Sequence, residues 1–173
     1  AEANVIIGGG GNDYVDGGEG SDTYRVSGHA AGGWSSFQDH DTYADSGKTG
    51  IDTIAALGAG NVDIGLLNFG AASGIERIDG TGALGTVRLL GDWNTNLLDF
   101  RTTTLVGTNI VIDGGHGNDT IYGSAEANII IGGGGNDTVN GGEGSDTYRV
   151  SGNVAGGWSS FQDYDTYADS GLG

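Results

Sequence analysis

Single apolar or aromatic residues recur every nine positions in parts of this chain, each surrounded by glycine-rich polar sequence. In residues 114–149 these are Ile121, Ile130, Val139 and Tyr148. Six residues rich in Gly, Asn, Asp and Ser separate one three-residue run from the next. Turn-forming residues between very short runs predict a stack of short strands joined by tight corners.

The same period appears as a nine-residue motif, G-G-x-G-x-D-x-U-x, where U is apolar or aromatic. Four consecutive units in one frame make this pattern specific, whereas a lone G-G-x-G is weak. Each unit is expected to form one turn and one strand of a solenoid. The units are GGHGNDTIY at 114–122, GSAEANIII at 123–131, GGGGNDTVN at 132–140 and GGEGSDTYR at 141–149, with GGGGNDYVD at 8–16, GGEGSDTYR at 17–25 and a truncated AEANVII at 1–7.

A longer repeat contains the shorter one. Residues 1–47 recur as residues 125–171, at an offset of 124, and 41 of the 47 positions are identical. The chain therefore holds one period of about 124 residues and the start of the next. We expect the natural protein to be a longer tandem array, from which this chain has been excised.

The middle of the chain lacks the motif but keeps short apolar runs about ten to fourteen residues apart. This spacing predicts that residues 48–113 continue the solenoid in half-laps with looser corners. A small separate β-sandwich between two rolls is the alternative. The runs are Ile51–Ile54, Val62–Leu67, Ile75–Ile78, Val87–Leu90, Leu97–Phe100 and Ile110–Ile112.

Two aromatic and acidic segments interrupt the pattern, at 28–47 and 151–173. Each segment is expected to form an excursion, a loop that leaves the stack of strands, and its aromatic residues are expected to anchor that loop on the roll. Stacking of these residues on sugar rings is an alternative. The first segment also carries acidic residues that follow the last turn of the roll. The residues concerned are Trp34, Phe37 and Tyr43, repeated as Trp158, Phe161 and Tyr167, and the acids Asp39, Asp41 and Asp45. The expected segments are 1–27 (truncated roll), 28–47 (excursion), 48–113 (solenoid continuation), 114–150 (second roll) and 151–173 (second excursion).

Composition narrows the class of protein. The 38 glycines without any proline exclude collagen, and the absence of cysteine excludes disulfides and thiolate metal sites. A net charge of −17 disfavours nucleic acid and anionic membranes as partners and calls for a cation. An acidic disordered tail is disfavoured because the Ile, Val, Leu and Tyr runs have strand composition.

The motif spacing suits a hard divalent metal. Glycines let a turn curl so that carbonyl oxygens converge, and the Asp at position six adds a carboxylate. Calcium takes six to eight oxygens, more than one turn supplies, so two stacked turns must share an ion. Two nonapeptides make one eighteen-residue lap, which places alternate units on the same side. Residues 48–113 lack the motif and are expected to bind little calcium, whereas the acidic residues of 28–47 are candidates to complete a calcium site with the preceding turn. The expected partners are Asp119 with Asp137, Asn128 with Asp146 and Asn4 with Asp22, whereas Asp13 is expected to lack an upstream partner turn.

The nonapeptide run resembles the RTX proteins, which Gram-negative bacteria export by type I secretion. The resemblance implies an all-β, right-handed parallel β-roll or β-solenoid, with Ca²⁺ bound in both rows of turns. The 123–131 unit departs from the pattern because it keeps only its first glycine, and no C-terminal secretion signal is recognisable. The carbonyl ligands implied by the resemblance belong to Gly115, Gly117, Gly133 and Gly135, and to Gly142, Gly144, Gly9, Gly11, Gly18 and Gly20 in the other turns.

The favoured function is a calcium-binding structural repeat that folds after secretion, within a large extracellular or cell-surface, adhesin-like protein. Its expected partners are calcium ions and neighbouring repeats, with polysaccharide or a cell surface as further candidates, and no membrane insertion. The alternatives are a polysaccharide-binding module and an accessory repeat of a secreted enzyme. No catalytic residue is predicted, because His29 and His40 are replaced in the second copy and the repeat explains the carboxylates.

Overall fold

A computed structural model describes residues 2–28, 39–150 and 165–170. Within these ranges the chain forms short strands and a single 3-10 turn at Ala71–Ser73. No helix there is long and apolar enough to cross a membrane. The strands are β1 (Val5–Ile6), β2 (Tyr14–Val15), β3 (Thr23–Ser27), β4 (Thr42–Tyr43), β5 (Thr53–Gly58), β6 (Val62–Gly65), β7 (Arg77–Ala83), β8 (Val87–Leu90), β9 (Leu97–Asp99), β10 (Thr104–Val106), β11 (Ile110–Asp113), β12 (Thr120–Tyr122), β13 (Ile129–Ile131), β14 (Thr138–Asn140), β15 (Thr147–Arg149) and β16 (Thr166–Ala168).

The strands stack in parallel sheets that run along the solenoid. One sheet has the order β1-β3-β5-β7-β10, and a second has the order β15-β13-β11-β8-β6. A third sheet has the order β16-β14-β12-β9, and β2 pairs with β4. Every pairing between these strands is parallel. The predicted all-β parallel β-roll fold is therefore confirmed.

The nonapeptide blocks advance by eighteen residues per lap. Val5 pairs with Thr23 at one end, and Thr120 pairs with Thr138 at the other. Each such lap contributes two strands, one to each side of the roll. Unit n therefore stacks on unit n+2, which places the turns of alternate units next to each other.

Between the blocks a lap is longer and has three sides. Val87 pairs with Ile110 and Thr23 with Thr53, so a lap takes 23 to 30 residues. The strands β7, β8 and β9 of one lap stack on β10, β11 and β12 of the next. The expectation of half-laps, with two strands to each lap, is wrong for this part of the chain, because each lap has three strands. The third side encloses a wider interior, which the rings of Phe69 and Phe100, stacked at 5.1 Å, help to fill.

The apolar position of each unit points into this interior. On the first sheet, Tyr24, Ile54 and Ile78 are in register and are 0–2% exposed. On the third sheet, Leu98, Ile121 and Val139 are in register and completely buried. Because a solenoid has little depth, these stacked apolar side chains supply most of its hydrophobic stabilisation.

Residues 39–47 take part in a lap. Thr42 and Tyr43 pair with Tyr14 and Val15, and the Tyr43 ring packs edge-on against Tyr24 with centroids 5.7 Å apart. Tyr43 therefore packs onto the roll, as expected of an anchoring aromatic residue. Trp34, Phe37, Trp158 and Phe161 lie outside the described residues.

Candidate metal sites in the turns

Position-six side chains form ladders along the two rows of turns, which we call the carboxylate ladders. In each, an Oδ1 accepts the backbone N–H of the equivalent residue one lap earlier. The distances are 2.8 Å from Asp119 N to Asp137 Oδ1, 2.9 Å from Asn128 N to Asp146 Oδ1 and 2.6 Å from Asn4 N to Asp22 Oδ1. The structure thus brings together all three pairs of residues expected to share an ion.

The second oxygen of these carboxylates is aimed into the turn. The Oδ2 atoms of Asp13, Asp22, Asp119 and Asp146 are buried and accept no hydrogen bond from the described residues. A buried carboxylate oxygen without a donor costs roughly 1–3 kcal/mol or more. A cation in the turn would satisfy these oxygens, so the donor set fits a hard metal ion.

The glycines make room for close stacking of the turns. Gly133 and Gly135 have φ angles of +110° and +122°, in the left-handed region. A Cβ on Gly133 would collide with the carbonyl oxygen of Gly115, and one on Gly135 with that of Gly117. The Gly115 carbonyl already accepts the Gly134 N–H at 3.0 Å, which leaves it one lone pair for a metal.

The other predicted glycines have less uniform surroundings. All of them have positive φ angles, as the motif requires. Gly20 packs on the Glu2 carbonyl and Gly142 on that of Ser124, whereas no described atom lies within 4 Å of a Cβ placed on Gly9, Gly11 or Gly18. The φ angles are +104° at Gly9 and Gly11, +80° at Gly18, +138° at Gly20, +89° at Gly115, +110° at Gly117, +91° at Gly142 and +98° at Gly144.

Asp13 has a partner in the next lap. Its N–H donates to Asp41 Oδ1 at 3.0 Å, and in the second copy the Asp137 N–H donates to Asp165 Oδ1 at 3.1 Å. The acidic segment after each roll therefore supplies a further ladder position. Burial, reinforced by the charge of Asp13, raises the pKa of Asp41 above its usual value.

The turn at 123–128 is held together by its side chains instead of by glycines. Asn128 Oδ1 accepts the Ser124 N–H at 2.7 Å, and Asn128 Nδ2 donates to Ser124 Oγ at 2.9 Å. This explains how a unit with one glycine keeps its place in the stack. Because its only side-chain oxygen already accepts a hydrogen bond, Asn128 would be a poorer ligand for a metal than Asp119.

Asn96 is a ladder residue that the nine-residue motif does not predict. Asn96 donates its N–H to Asp119 Oδ1 at 2.7 Å, so the turn at 91–96 extends the row upstream. The sequence GDWNTNLLD at 91–99 keeps the glycine at position one, an oxygen-bearing residue at six and Leu98 at eight. That reduced pattern is the signal by which it could have been found.

Asp119 lies close to several other carboxylates. Burial, with contributions from the negative charges of Asp137, Asp92 and Asp113, raises the pKa of Asp119 to about 7. Removing such a group from water without a counter-ion favours its neutral form. A cation bound beside Asp119 would therefore stabilise its charged form.

Comparison with known proteins agrees with this geometry. The protein-family model of the RTX calcium-binding nonapeptide repeat matches this chain in four copies, over residues 1–24 and 112–148. No curated protein and no solved structure matches the chain.

Proposed function

We propose that this chain, which carries RTX calcium-binding nonapeptide repeats, is a structural module whose folding is coupled to calcium binding. RTX nonapeptides bind calcium, so the cation required by the charge of −17 is Ca²⁺. The observation that carries the coupling is the set of buried carboxylate oxygens, including Asp119 Oδ2, that no described group satisfies.

The proposed ligands follow the stacked pairs. Asp119 with Asp137 would share one ion, Asn128 with Asp146 a second, and Asn4 with Asp22 a third. Asp13 would share a further ion with the turn that carries Asp41. Backbone carbonyls of the turn glycines, such as Gly115, Gly117, Gly133 and Gly135, would complete each oxygen shell.

Repulsion between stacked carboxylates is the physical reason to expect that folding is coupled to calcium binding. Stacked turns lie about 4.8 Å apart. Two carboxylates at that distance repel by roughly 3 kcal/mol at an effective dielectric constant near 20. Without calcium this repulsion accumulates along both rows, and a thin solenoid core offsets little of it. Ions that bind only the folded chain stabilise it by mass action.

The experiment is a calcium titration followed by far-ultraviolet circular dichroism. In excess chelator the chain is expected to show a disordered spectrum, and calcium should restore a β spectrum with a cooperative midpoint. A full β spectrum in chelator, unchanged by calcium, would overturn the coupling.

We also propose a cellular context. RTX repeats are typical of secreted proteins of Gram-negative bacteria, and the 124-residue repetition suits a large adhesin-like surface protein. Extracellular calcium modules bind at about 10⁻⁴–10⁻³ M, so the chain would remain unfolded in the cytosol and fold outside. A folding midpoint as low as that of cytosolic calcium buffers, about 10⁻⁹–10⁻⁸ M, would contradict this timing, because the chain would then fold before export.

Residues 48–113 are proposed as a spacer between the calcium-rich rolls at 1–27 and 114–150. Their strands belong to the same sheets as those of the rolls, which supports a continuous solenoid. The polysaccharide hypothesis depended on Trp34 and Trp158, which lie outside the described residues, and it stays a prediction together with the accessory-repeat alternative.

A further inference from the structure

Residues 47–55 contain a reduced copy of the nonapeptide outside the matched blocks. The sequence GKTGIDTIA keeps glycine at positions one and four, Asp52 at six and Ile54 at eight, and places Lys48 where the second glycine belongs. In the structure Thr23 pairs with Thr53 and Tyr24 with Ile54. Positions seven and eight of the unit at 17–25 are thus in register with those of 47–55.

The two turns stack as two true nonapeptide turns do. Gly50 has a φ of +115°, and a Cβ on it would collide with the carbonyl oxygen of Gly20. Gly135 and Gly117, also at position four, have the same relation in the second roll. The Asp22 N–H donates to Asp52 Oδ1 at 2.7 Å, which continues the carboxylate ladder into this lap.

Three buried carboxylates meet between these turns. One oxygen from each of Asp22, Asp45 and Asp52 lies within 4.8 Å of those of the other two. Asp22 is completely buried, its Oδ1 is occupied by the Asn4 N–H, and its Oδ2 accepts no hydrogen bond from the described residues. A fully buried carboxylate oxygen of this kind is costly unless a cation satisfies it.

Asp45 is held in place from two directions. Its Oδ2 accepts the Tyr24 hydroxyl at 2.5 Å, and its Oδ1 accepts the Gly47 N–H at 2.7 Å. A Cβ on Gly47 would lie 2.9 Å from Asp45 Oδ1 and would collide with the Gly18 carbonyl oxygen. The carboxylate and that carbonyl therefore border the same small space, which glycine leaves open.

We infer that Asp22, Asp45 and Asp52 form an additional calcium site, built by the reduced nonapeptide at 47–55 and lying outside the repeats that the family model recognises. The inference rests on the proposed calcium-coupled function. Three carboxylates give this site more negative charge than the two-residue pairs of the rolls. Greater ligand charge raises affinity for Ca²⁺, so this ion should be among the tightest bound.

The test counts calcium ions per chain by isothermal titration calorimetry and equilibrium dialysis. Asp52→Asn keeps the oxygen that accepts the Asp22 N–H and removes only charge, so it should weaken one site by about tenfold or more. The double variant Asp45→Asn/Asp52→Asn should lose one ion from the count. Asp22 is left unchanged because it also serves the Asn4 pair.

Glu19→Gln is the matched control. Glu19 is exposed at the free third position of the same nonapeptide turn, and its Oε2 accepts the Thr49 hydroxyl at 2.7 Å. Glutamine keeps an oxygen for that contact, so this variant removes one charge without changing the three carboxylates. It should keep the full ion count. Circular dichroism in saturating calcium shows whether each variant has folded, and a folded double variant that keeps the wild-type count overturns the inference. A wild-type chain that binds no calcium would instead overturn the proposed function.

Discussion

The two carboxylate oxygens of a position-six aspartate have different surroundings in the stack. In Asp119, Oδ1 accepts the N–H of Asn96 from the preceding lap, whereas Oδ2 is buried without a donor among the described residues. The first oxygen holds the laps in register, and the second is available to a metal. An asparagine can make the first contact equally well but carries no charge for the second.

Asp119→Asn therefore separates the two roles. We expect the variant to fold to the same β content, with a calcium midpoint raised about tenfold because one ligand charge is lost. The measurement is the circular dichroism titration, with Asp79→Asn as control, since Asp79 pairs with Arg77 away from the turns. Equal midpoints for Asp119→Asn and the wild type would contradict the assignment of Asp119 as a ligand.

Glycine at position four is required by backbone conformation. Gly135 has a φ of +122°, and a Cβ there would collide with the Gly117 carbonyl. Gly135→Ala should lower the free energy of unfolding in calcium by roughly 2–3 kcal/mol. Gly10→Ala is the comparison, because no described atom lies within 4 Å of a Cβ placed at the free third position of its unit. Urea denaturation checks both, and similar losses would argue against close stacking as the reason for the glycine.

At the scale of the element, each strand is too short to be stable alone. Strand β12 has three residues and contributes a single buried side chain, Ile121, between Leu98 and Val139 of the neighbouring laps. Its stability comes from the strands on either side. The apolar ladder and the carboxylate ladder therefore depend on the same stacking.

Ile121→Ala should cost about 2–5 kcal/mol because it leaves a cavity in a completely buried row. It should also raise the calcium midpoint, since folding and binding are coupled. Leu84→Ala is the control, because Leu84 is 83% exposed and should change neither quantity measurably. Urea denaturation and calcium titration measure the two effects. A stability loss without any change in midpoint would show that the core and the metal sites are not coupled.

At the scale of the whole molecule, the charge of −17 could be relieved in two ways. Monovalent salt only screens the repulsion, whereas calcium is coordinated within the turns. Magnesium demands a smaller octahedral shell and gives up its water reluctantly, so it suits these carbonyl-rich turns poorly. We expect neither NaCl nor MgCl₂, at an ionic strength equal to that of saturating CaCl₂, to restore the β spectrum. Folding by all three salts would indicate screening and would contradict site-specific binding.

Much of the roll could be predicted from short stretches of sequence. The nine-residue period, the pairing of Asp119 with Asp137 and the inward apolar position all follow from requirements inside one unit. A positive φ needs glycine at fixed places, and a three-residue strand has one inward side chain at its centre. Where the unit length is constant, stacking partners are eighteen residues apart, so the ladder can be read from the sequence.

Outside the matched blocks the period changes, and the partners depend on the path of the chain. Corner lengths and interior packing decide three features: the three-sided laps of 23 to 30 residues, the position of Asn96 below Asp119, and the meeting of Asp22 with Asp45 and Asp52. The sequence determines corner length only weakly, because the free energy of closing a loop changes slowly with the number of residues in it. The sequence by itself therefore determines the turns and candidate ligands within each motif. Contacts across laps of unequal length are decided by the tertiary structure, because they depend on how the whole solenoid fills its interior.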